Sequence, residues 1–297
     1  MHAWLALRAK PKSLAGSVGH DAAVLKPRSG RSVVCLDQTI EGVHFDAAAT
    51  PKNIANKAVG RALSDLAATA AWPRQILLGL SAPSSKTERW MRAVLSAAAN
   101  RASDFGAELV AGDLSASPGP VHLSVTAIGE LDNSLRPPGR DRARSGQLLL
   151  LTGPTGGSLR GRHLNIEPRI AMGHWLHSKG ATAMMDVSDG LALDLTRIGK
   201  QSKVGIELHQ VLIHKDAIWC ARRDKRSAWH HAMTDGEDHE LIVTIGVQAW
   251  ERIKTETKRR FPTISVVGKV VKRTGLRVKD EQGQLREWKG SGGWVHG

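Results

Sequence analysis

The sequence predicts an α/β protein in two domains, and three observations predict it. Short β-type runs alternate with segments of helical periodicity in both halves of the chain. At 297 residues the chain is long enough for two domains of ordinary size. A connection rich in Pro, Gly and Arg over 131–145 separates the halves, which places the domains at 1–140 and 141–297.

In the first half, Gly19-His20-Asp21-Ala22-Ala23 opens the ordered region and leads to a strand over 33–37. Glu41-Gly42-Val43-His44-Phe45 reads as a loop or a second short strand. Pro51 suits the first position of a helix whose apolar stripe is Ile54, Ala58, Ala62 and Leu66, with Asp65 on it among small residues. A strand over 75–80 precedes a helix that starts near Ser85 and ends near Gly106. Ser85 and Glu88 have capping-box spacing. Residues 108–111 form a strand that runs into Gly112-Asp113, and 121–128 alternates as another.

The second half starts with a strand over 148–151 and the turn Thr152-Gly153-Pro154-Thr155-Gly156-Gly157. That turn is glycine-rich but lacks the lysine and spacing of a P-loop, so it is weak evidence of a phosphate cradle. A helix over 168–177, the stretch 184–195, a strand over 204–208 and the acidic turn Asp235-Gly236-Glu237-Asp238 follow. A strand over 241–245, a helix over 248–260 and strands over 264–267 and 276–278 complete the pattern.

Composition removes several functions. No apolar run approaches the roughly 18 residues of a membrane span. Residues 1–19 lack an apolar core followed by a small-residue cleavage site, so no signal peptide is expected. Cys35 and Cys220 lie far apart and outside metal-ligand spacing, which fits a reducing cytoplasm. A formal net charge of +14 would suit a nucleic-acid binder. Lys and Arg are dispersed, however, and with 4% aromatics no stacking platform emerges, so nucleic acid is not the expected partner. A basic surface that attracts phosphate-bearing small molecules explains the charge as well.

The chemistry centres on Asp186-Val187-Ser188-Asp189-Gly190. A short apolar run ends there and a helical stripe of Leu191, Leu195 and Ile198 begins, so Asp186 and Asp189 flank a strand-to-helix turn. Two carboxylates held close repel unless a cation lies between them, and oxygen ligands of this kind suit magnesium. A helix cap after an Asp-Gly turn would give the same local pattern. Asp21, Asp37, Asp65 and Asp113 repeat the signature: each lies beside Gly, Ser or Ala near the end of an apolar or helical segment. Carboxylates delivered from separate segments are what a multi-magnesium site for a nucleoside triphosphate needs.

In order and spacing, these segments resemble the thiamine-monophosphate kinase family, of the superfamily that includes aminoimidazole ribonucleotide synthetase and selenophosphate synthetase. The resemblance runs from Gly19 to Trp294 and rests on six motifs. They are Gly19-His20-Asp21-Ala22-Ala23, Asp37 through Glu41-Gly42-Val43-His44-Phe45, Ser64-Asp65-Leu66-Ala67-Ala68, Gly112-Asp113, 186–192 and Gly236-Glu237-Asp238. It implies that superfamily's two-domain architecture, with an N-terminal half that dimerises by joining sheets into a barrel and a C-terminal half that closes over the nucleotide. It also implies phosphorylation of thiamine monophosphate to thiamine diphosphate by ATP, without a covalent phospho-enzyme, in a cytoplasmic homodimer. Asp37, Asp65, Asp113, Asp186 and Asp189 are then the catalytic magnesium ligands, with Asp21 or His20 at a further metal position. Gly112, Asp113, Arg140 and Ser188 match positions that contact ATP, and His44, Glu237 and Trp294 match positions that contact thiamine. An aromatic face suits the cationic thiazolium ring, and an arginine suits phosphate.

Four positions depart from the family. His20 stands where an acid binds metal, and imidazole is a poor magnesium ligand. Asp235 replaces a glycine, His239 a tyrosine and Gln147 an aspartate. These changes leave two alternatives open: a degenerate member that binds nucleotide or thiamine phosphate with little turnover, or a related ATP-using enzyme with another small-molecule substrate. A selenophosphate synthetase should carry a reactive cysteine near its N-terminus, and none precedes Cys35.

Overall fold

The computed structural model describes residues 11–15, 22–23, 25–27, 29–280 and 282–290. The chain divides into two compact units, Met1–Leu66 with Ala71–Leu135 and Leu164–Glu167, and Ala67–Ala70 with Arg136–His163 and Pro168–Gly297.

The first unit is built on a four-stranded sheet of order β1-β4-β2-β3. Its strands are β1 (Arg31–Ile40), β2 (Trp72–Ala82), β3 (Glu108–Ala116) and β4 (His122–Leu131). Only the β2–β3 pair is parallel. Helix α1 (Pro51–Ala68) buries the stripe Ile54, Ala58, Ala62 and Leu66, as its periodicity requires. The Cys35 thiol of β1 donates to the Ala62 carbonyl 3.2 Å away, so α1 covers the sheet face to which Cys35 belongs. Val34 and Leu36 point the other way and are 63% and 58% exposed. Helix α2 (Glu88–Asp104) is capped by Thr87, whose hydroxyl accepts the Trp90 N–H at 3.2 Å. Ser85 therefore lies before the cap and makes no capping box. Strand β3 continues through Gly112-Asp113 instead of stopping before them, because its pairing with β2 runs on to Ala116.

The second unit carries a seven-stranded mixed sheet of order β11-β10-β7-β9-β5-β8-β6. The strands are β5 (Leu148–Leu151), β6 (Ala181–Asp186), β7 (Gly205–Leu208), β8 (Leu241–Ile245), β9 (Ser265–Val271), β10 (Gly275–Lys279) and β11 (Leu285–Glu287). All four residues of β7 and all five of β8 are buried, Glu207 and Thr244 among them. The helices are α3 (Ile170–Ser178), α4 (Leu191–Ser202), α5 (Lys215–Ala221), α6 (Ala228–Thr234) and α7 (Val247–Arg260). Leu191, Leu195 and Ile198 of α4 join the core with Met185, Val187, Ile206 and Ile242. Gln147 spans strands: its side chain accepts the Arg144 N–H at 2.8 Å and donates to the Thr182 hydroxyl at 2.9 Å.

Candidate active site

In the second unit, β6 ends at Asp186, which is 3% exposed and paired with Leu241 of β8. The turn Ser188-Asp189-Gly190 then starts α4, with Gly190 at φ 116° and no side-chain cap of its own. The missing cap comes from inside the helix. Asp194 reaches back and accepts the N–H groups of Ser188 and Asp189, both at 3.1 Å. Arg197 one turn further on donates to Asp194 at 2.8 Å and also to Asp189. Burial pushes the Asp194 carboxyl up to about 7 against the pull of its backbone hydrogen bond, and the neighbouring charges of Asp186 and Asp189 add to the rise.

The acidic turn 235–238 meets this region through its backbone. The Glu237 N–H donates to the Ser188 carbonyl at 2.7 Å, and the His239 N–H donates to that of Val187 at 2.8 Å. His239 lies between two acids, with Nδ1 3.0 Å from Asp186 and Nε2 3.3 Å from Glu237. Burial opposes a charge on this imidazole, but its hydrogen bonds to Asp186 and Glu237 prevail and lift it to about 9. Asp186, Asp189, Asp194 and Glu237 thus form one acidic group, balanced within the chain by His239 and Arg197.

The two successive glycine amides at the end of the glycine-rich turn are engaged within the chain. Gly156 N–H donates to Asp238 and Gly157 N–H to Asp235, each at 2.9 Å. The glycines permit close packing: a Cβ on Gly157 would stand 2.4 Å from the Asp216 carbonyl carbon. Arg162 also donates to Asp238, and burial pushes that carboxyl up to about 7 despite Arg162. Glu240 accepts from Arg169 at 2.5 and 3.0 Å and from the Thr152 hydroxyl at 2.5 Å. Arg140 is exposed, and its backbone carbonyl accepts from Ser202 at 2.8 Å.

In the first unit Asp37 and Asp113 lie apart. Asp37 sits in the cross-strand row Asp37–Val125–Leu78–Gly112, whereas Asp113 sits in the next row with Gly79, Ser124 and Gln38. Adjacent rows point to opposite faces, and β1 and β3 are the outer strands, about 14 Å apart across three strand spacings. Asp37 therefore faces α1, where Arg61 approaches to 3.4 Å, and Asp113 faces the open side with Ser115 at 3.1 Å. Asp65 is half-buried on α1. His44 accepts the Ile40 N–H on Nδ1 at 3.0 Å, which closes the loop between Glu41 and Phe45. Expectations for His20, Asp21 and Trp294 lie outside the described residues.

Among the described residues, no three His, Cys, Asp or Glu side chains are grouped to hold a metal ion by themselves. Asp186 and Asp189 fit magnesium as a partial set. They are hard oxygen donors whose combined field already raises Asp194, and phosphate oxygens and water commonly complete such a shell. Asp194, Arg197, Arg162 and Arg169 were not legible as site residues. The acid in the first turn of α4 and the arginine three positions on were the available signal.

Comparison with known proteins gives this geometry a family. Residues 19–131 match the family model described as AIR synthase related protein, N-terminal domain. The thiamine-monophosphate kinase of Rhodopirellula baltica is 35% identical over 286 residues, covering 91% of this chain and 89% of that one. The crystal structure of thiamine-monophosphate kinase from Stenotrophomonas maltophilia superposes with a TM-score of 0.80 at 29% identity, covering 90% of this chain and 91% of that one. A structure of AaThiL complexed with AMPPCP and TMP gives 0.79 at 25% identity, covering 92% and 90%. Near full-length identity above 30%, a shared fold and the ordered acidic motifs agree: the chain belongs to the thiamine-monophosphate kinase family.

Proposed function

We propose that the chain transfers the γ-phosphoryl group of ATP directly to the phosphate of thiamine monophosphate, giving thiamine diphosphate and ADP. The carrying observation is the kinship with thiamine-monophosphate kinases over nine-tenths of the chain, including a similar fold complexed with AMPPCP and TMP. The acceptor is itself a phosphate monoester, whose second ionisation near pH 6 leaves a nucleophilic oxygen ready at neutral pH. No general base is required. The acceptor oxygen forms the new P–O bond as the bond to the ADP oxygen breaks, and the protein must position both anions and offset their charge.

A bound magnesium ion would supply Lewis-acid neutralisation of the phosphate charge. Asp186 and Asp189 would hold it from rigid supports, a strand end and a helix-starting turn fixed by Asp194. By resemblance Asp37, Asp65 and Asp113 are magnesium ligands too, and Asp37 and Asp113, on opposite faces of one sheet about 14 Å apart, would then hold different ions. Ser188, Gly112 and the exposed Arg140 contact ATP, while Glu237, His44 and Trp294 contact thiamine. The first unit, with ATP and metal ligands, also dimerises. The apolar side chains of Val34 and Leu36 on the open sheet face support that assignment. No described helix is long and apolar enough to cross a membrane, which is compatible with a cytoplasmic enzyme.

One observation favours binding with little turnover: His239 and Arg197 already engage the carboxylates that magnesium requires. Incubation with ATP, magnesium and thiamine monophosphate, with direct detection of thiamine diphosphate, separates the readings. Product from the wild type and its loss in Asp186→Asn is the expected result. Nucleotide binding without product would move the assignment to a binding protein or a different acceptor.

A further inference from the structure

Glu237 and His239 adopt the left-handed backbone region, with φ of 60° and 53°. Side chains with a Cβ resist that conformation, so it persists only where the surroundings determine it. Part of the constraint is main-chain. Besides the bonds to Val187 and Ser188, Gly236 lies so close to the Ser188 carbonyl that a Cβ would stand 2.4 Å from its oxygen.

The rest comes from two carboxylates that flank Glu237. Asp238 grips the Gly156 amide and Arg162, as described above. Asp235 grips the next amide along, Gly157, at 2.9 Å. Behind Asp235 stands His231, which is 1% exposed, with Nδ1 2.9 Å from Asp235 and Nε2 3.1 Å from Asp224. Arg226 closes the arrangement, 2.9 Å from Asp224 and 3.7 Å from Asp235. The Ser158 hydroxyl adds a bond to the Gly236 carbonyl at 2.5 Å.

Two successive amides held by two carboxylates, one on each side of Glu237, form a two-point clamp. With the Asp235 point removed, the turn keeps Asp238, Ser158 and its main-chain bonds to Val187 and Ser188 but is looser on the side that leads into Glu237. His231 and Asp224 have no place in the proposed chemistry, yet their geometry has one evident product, the fixed direction of Asp235.

We propose that Asp235, oriented by His231, is a positioning residue that aims Glu237 at the thiamine moiety of the substrate. The inference rests on the assignment of Glu237 to that moiety. Asp235 touches no reacting atom. It acts through Gly157 and the turn, so its loss weakens thiamine-monophosphate binding more than ATP binding, which the turn reaches only through the Ser188 main chain.

The test compares Asp235→Ala, Asp235→Asn and His231→Gln, each first shown to be folded by its thermal transition. Asp235→Ala is expected to raise KM for thiamine monophosphate about tenfold while KM for ATP stays within about twofold. Asp235→Asn keeps an oxygen for the Gly157 amide and recovers most of that loss, and His231→Gln falls between. Amide hydrogen exchange over 236–239 should quicken about tenfold in Asp235→Ala, because the clamp has opened. Equal rises in both KM values, or an unchanged KM for thiamine monophosphate, would overturn the proposal. If the wild type neither binds nor phosphorylates thiamine monophosphate, the substrate assignment fails on its own, and exchange then decides the clamp. Faster exchange in Asp235→Ala sustains it, and unchanged exchange ends it.

Discussion

The two units handle the same sequence signature in opposite ways. In the second, Asp186, Asp189, Asp194 and Glu237 crowd around one strand-to-helix turn, and His239 and Arg197 are built in to hold them. In the first, Asp37 and Asp113 occupy opposite faces and opposite edges of one sheet, Asp37 beside Arg61 and Asp113 beside Ser115. An aspartate beside small residues therefore carries two meanings. On a turn it belongs to a preassembled cluster whose electrostatics also bear on folding. On a strand it is a group outside any such cluster, and removal of the exposed Asp113 should leave folding almost untouched.

The sharpest test of this contrast pairs Asp186→Asn with Asp113→Asn. Asp186→Asn should lower kcat by about 10²–10³, the scale for losing a group that stabilises transition-state charge. It should also shift the thermal midpoint, because Asp186 is buried against His239. Asp113→Asn should lower activity while leaving the midpoint in place, since Asp113 is exposed. Equal midpoints in the two variants would erase the distinction.

Next in size is Arg197→Met. It leaves Asp194, fully buried, without its cation, and breaking a buried pair typically costs about 3–5 kcal/mol. The Arg197 side chain is 33% exposed, so screening brings the expectation to about 2 kcal/mol in urea unfolding. Asp194→Asn added to Arg197→Met should return part of the loss, because the uncompensated charge is gone while one acceptor for the turn amides remains. Full additivity of the two substitutions would contradict the pairing.

Titration offers a smaller and more selective handle. His239 is lifted from the usual 6.5 to about 9, so its stabilising contribution is complete below pH 6.5 and is lost as pH rises through 9. Asp194 is lifted from 3.8 to about 7, so its contribution is present at low pH and is lost between those values. Measured with a chelator present, the stability gap between wild type and His239→Gln should therefore shrink between pH 6.5 and 9. Relative to Asp194→Asn, the wild type should lose stability between about pH 4 and 7. A flat gap in either window would show that the group does not carry the assigned charge.

What the sequence revealed follows from the same contrast. The turn at 186–190 was legible because strand end, acids, glycine and helix stripe are consecutive. The carboxylate grip of Asp235 and Asp238 on Gly157 and Gly156 was not, because 78 and 82 positions separate the partners and the glycine-rich turn imitates a phosphate loop. Asp194 looked like an ordinary acid in a first helical turn. The distance between Asp37 and Asp113 depends on strand order β1-β4-β2-β3, which local periodicity does not encode. Helices α5 and α6 escaped notice because each has only seven residues, too few to display an apolar stripe amid Arg, Lys and His.

The two units also start their helices differently, and this gives the finest prediction. Helix α4 has no cap at Gly190 and depends on buried Asp194, whereas α2 has the exposed hydroxyl of Thr87. Thr87→Ala removes a single acceptor from a terminus that water can reach, which should cost about 1 kcal/mol. Ser85→Ala should change stability by less than about 0.5 kcal/mol, since Ser85 precedes the cap despite its spacing to Glu88. If urea unfolding ranks the two in the reverse order, the capping-box reading of Ser85 stands and the assignment to Thr87 falls. If Thr87→Ala proves as damaging as Arg197→Met, the first unit depends on its helix terminus as heavily as the second, and the contrast between them weakens.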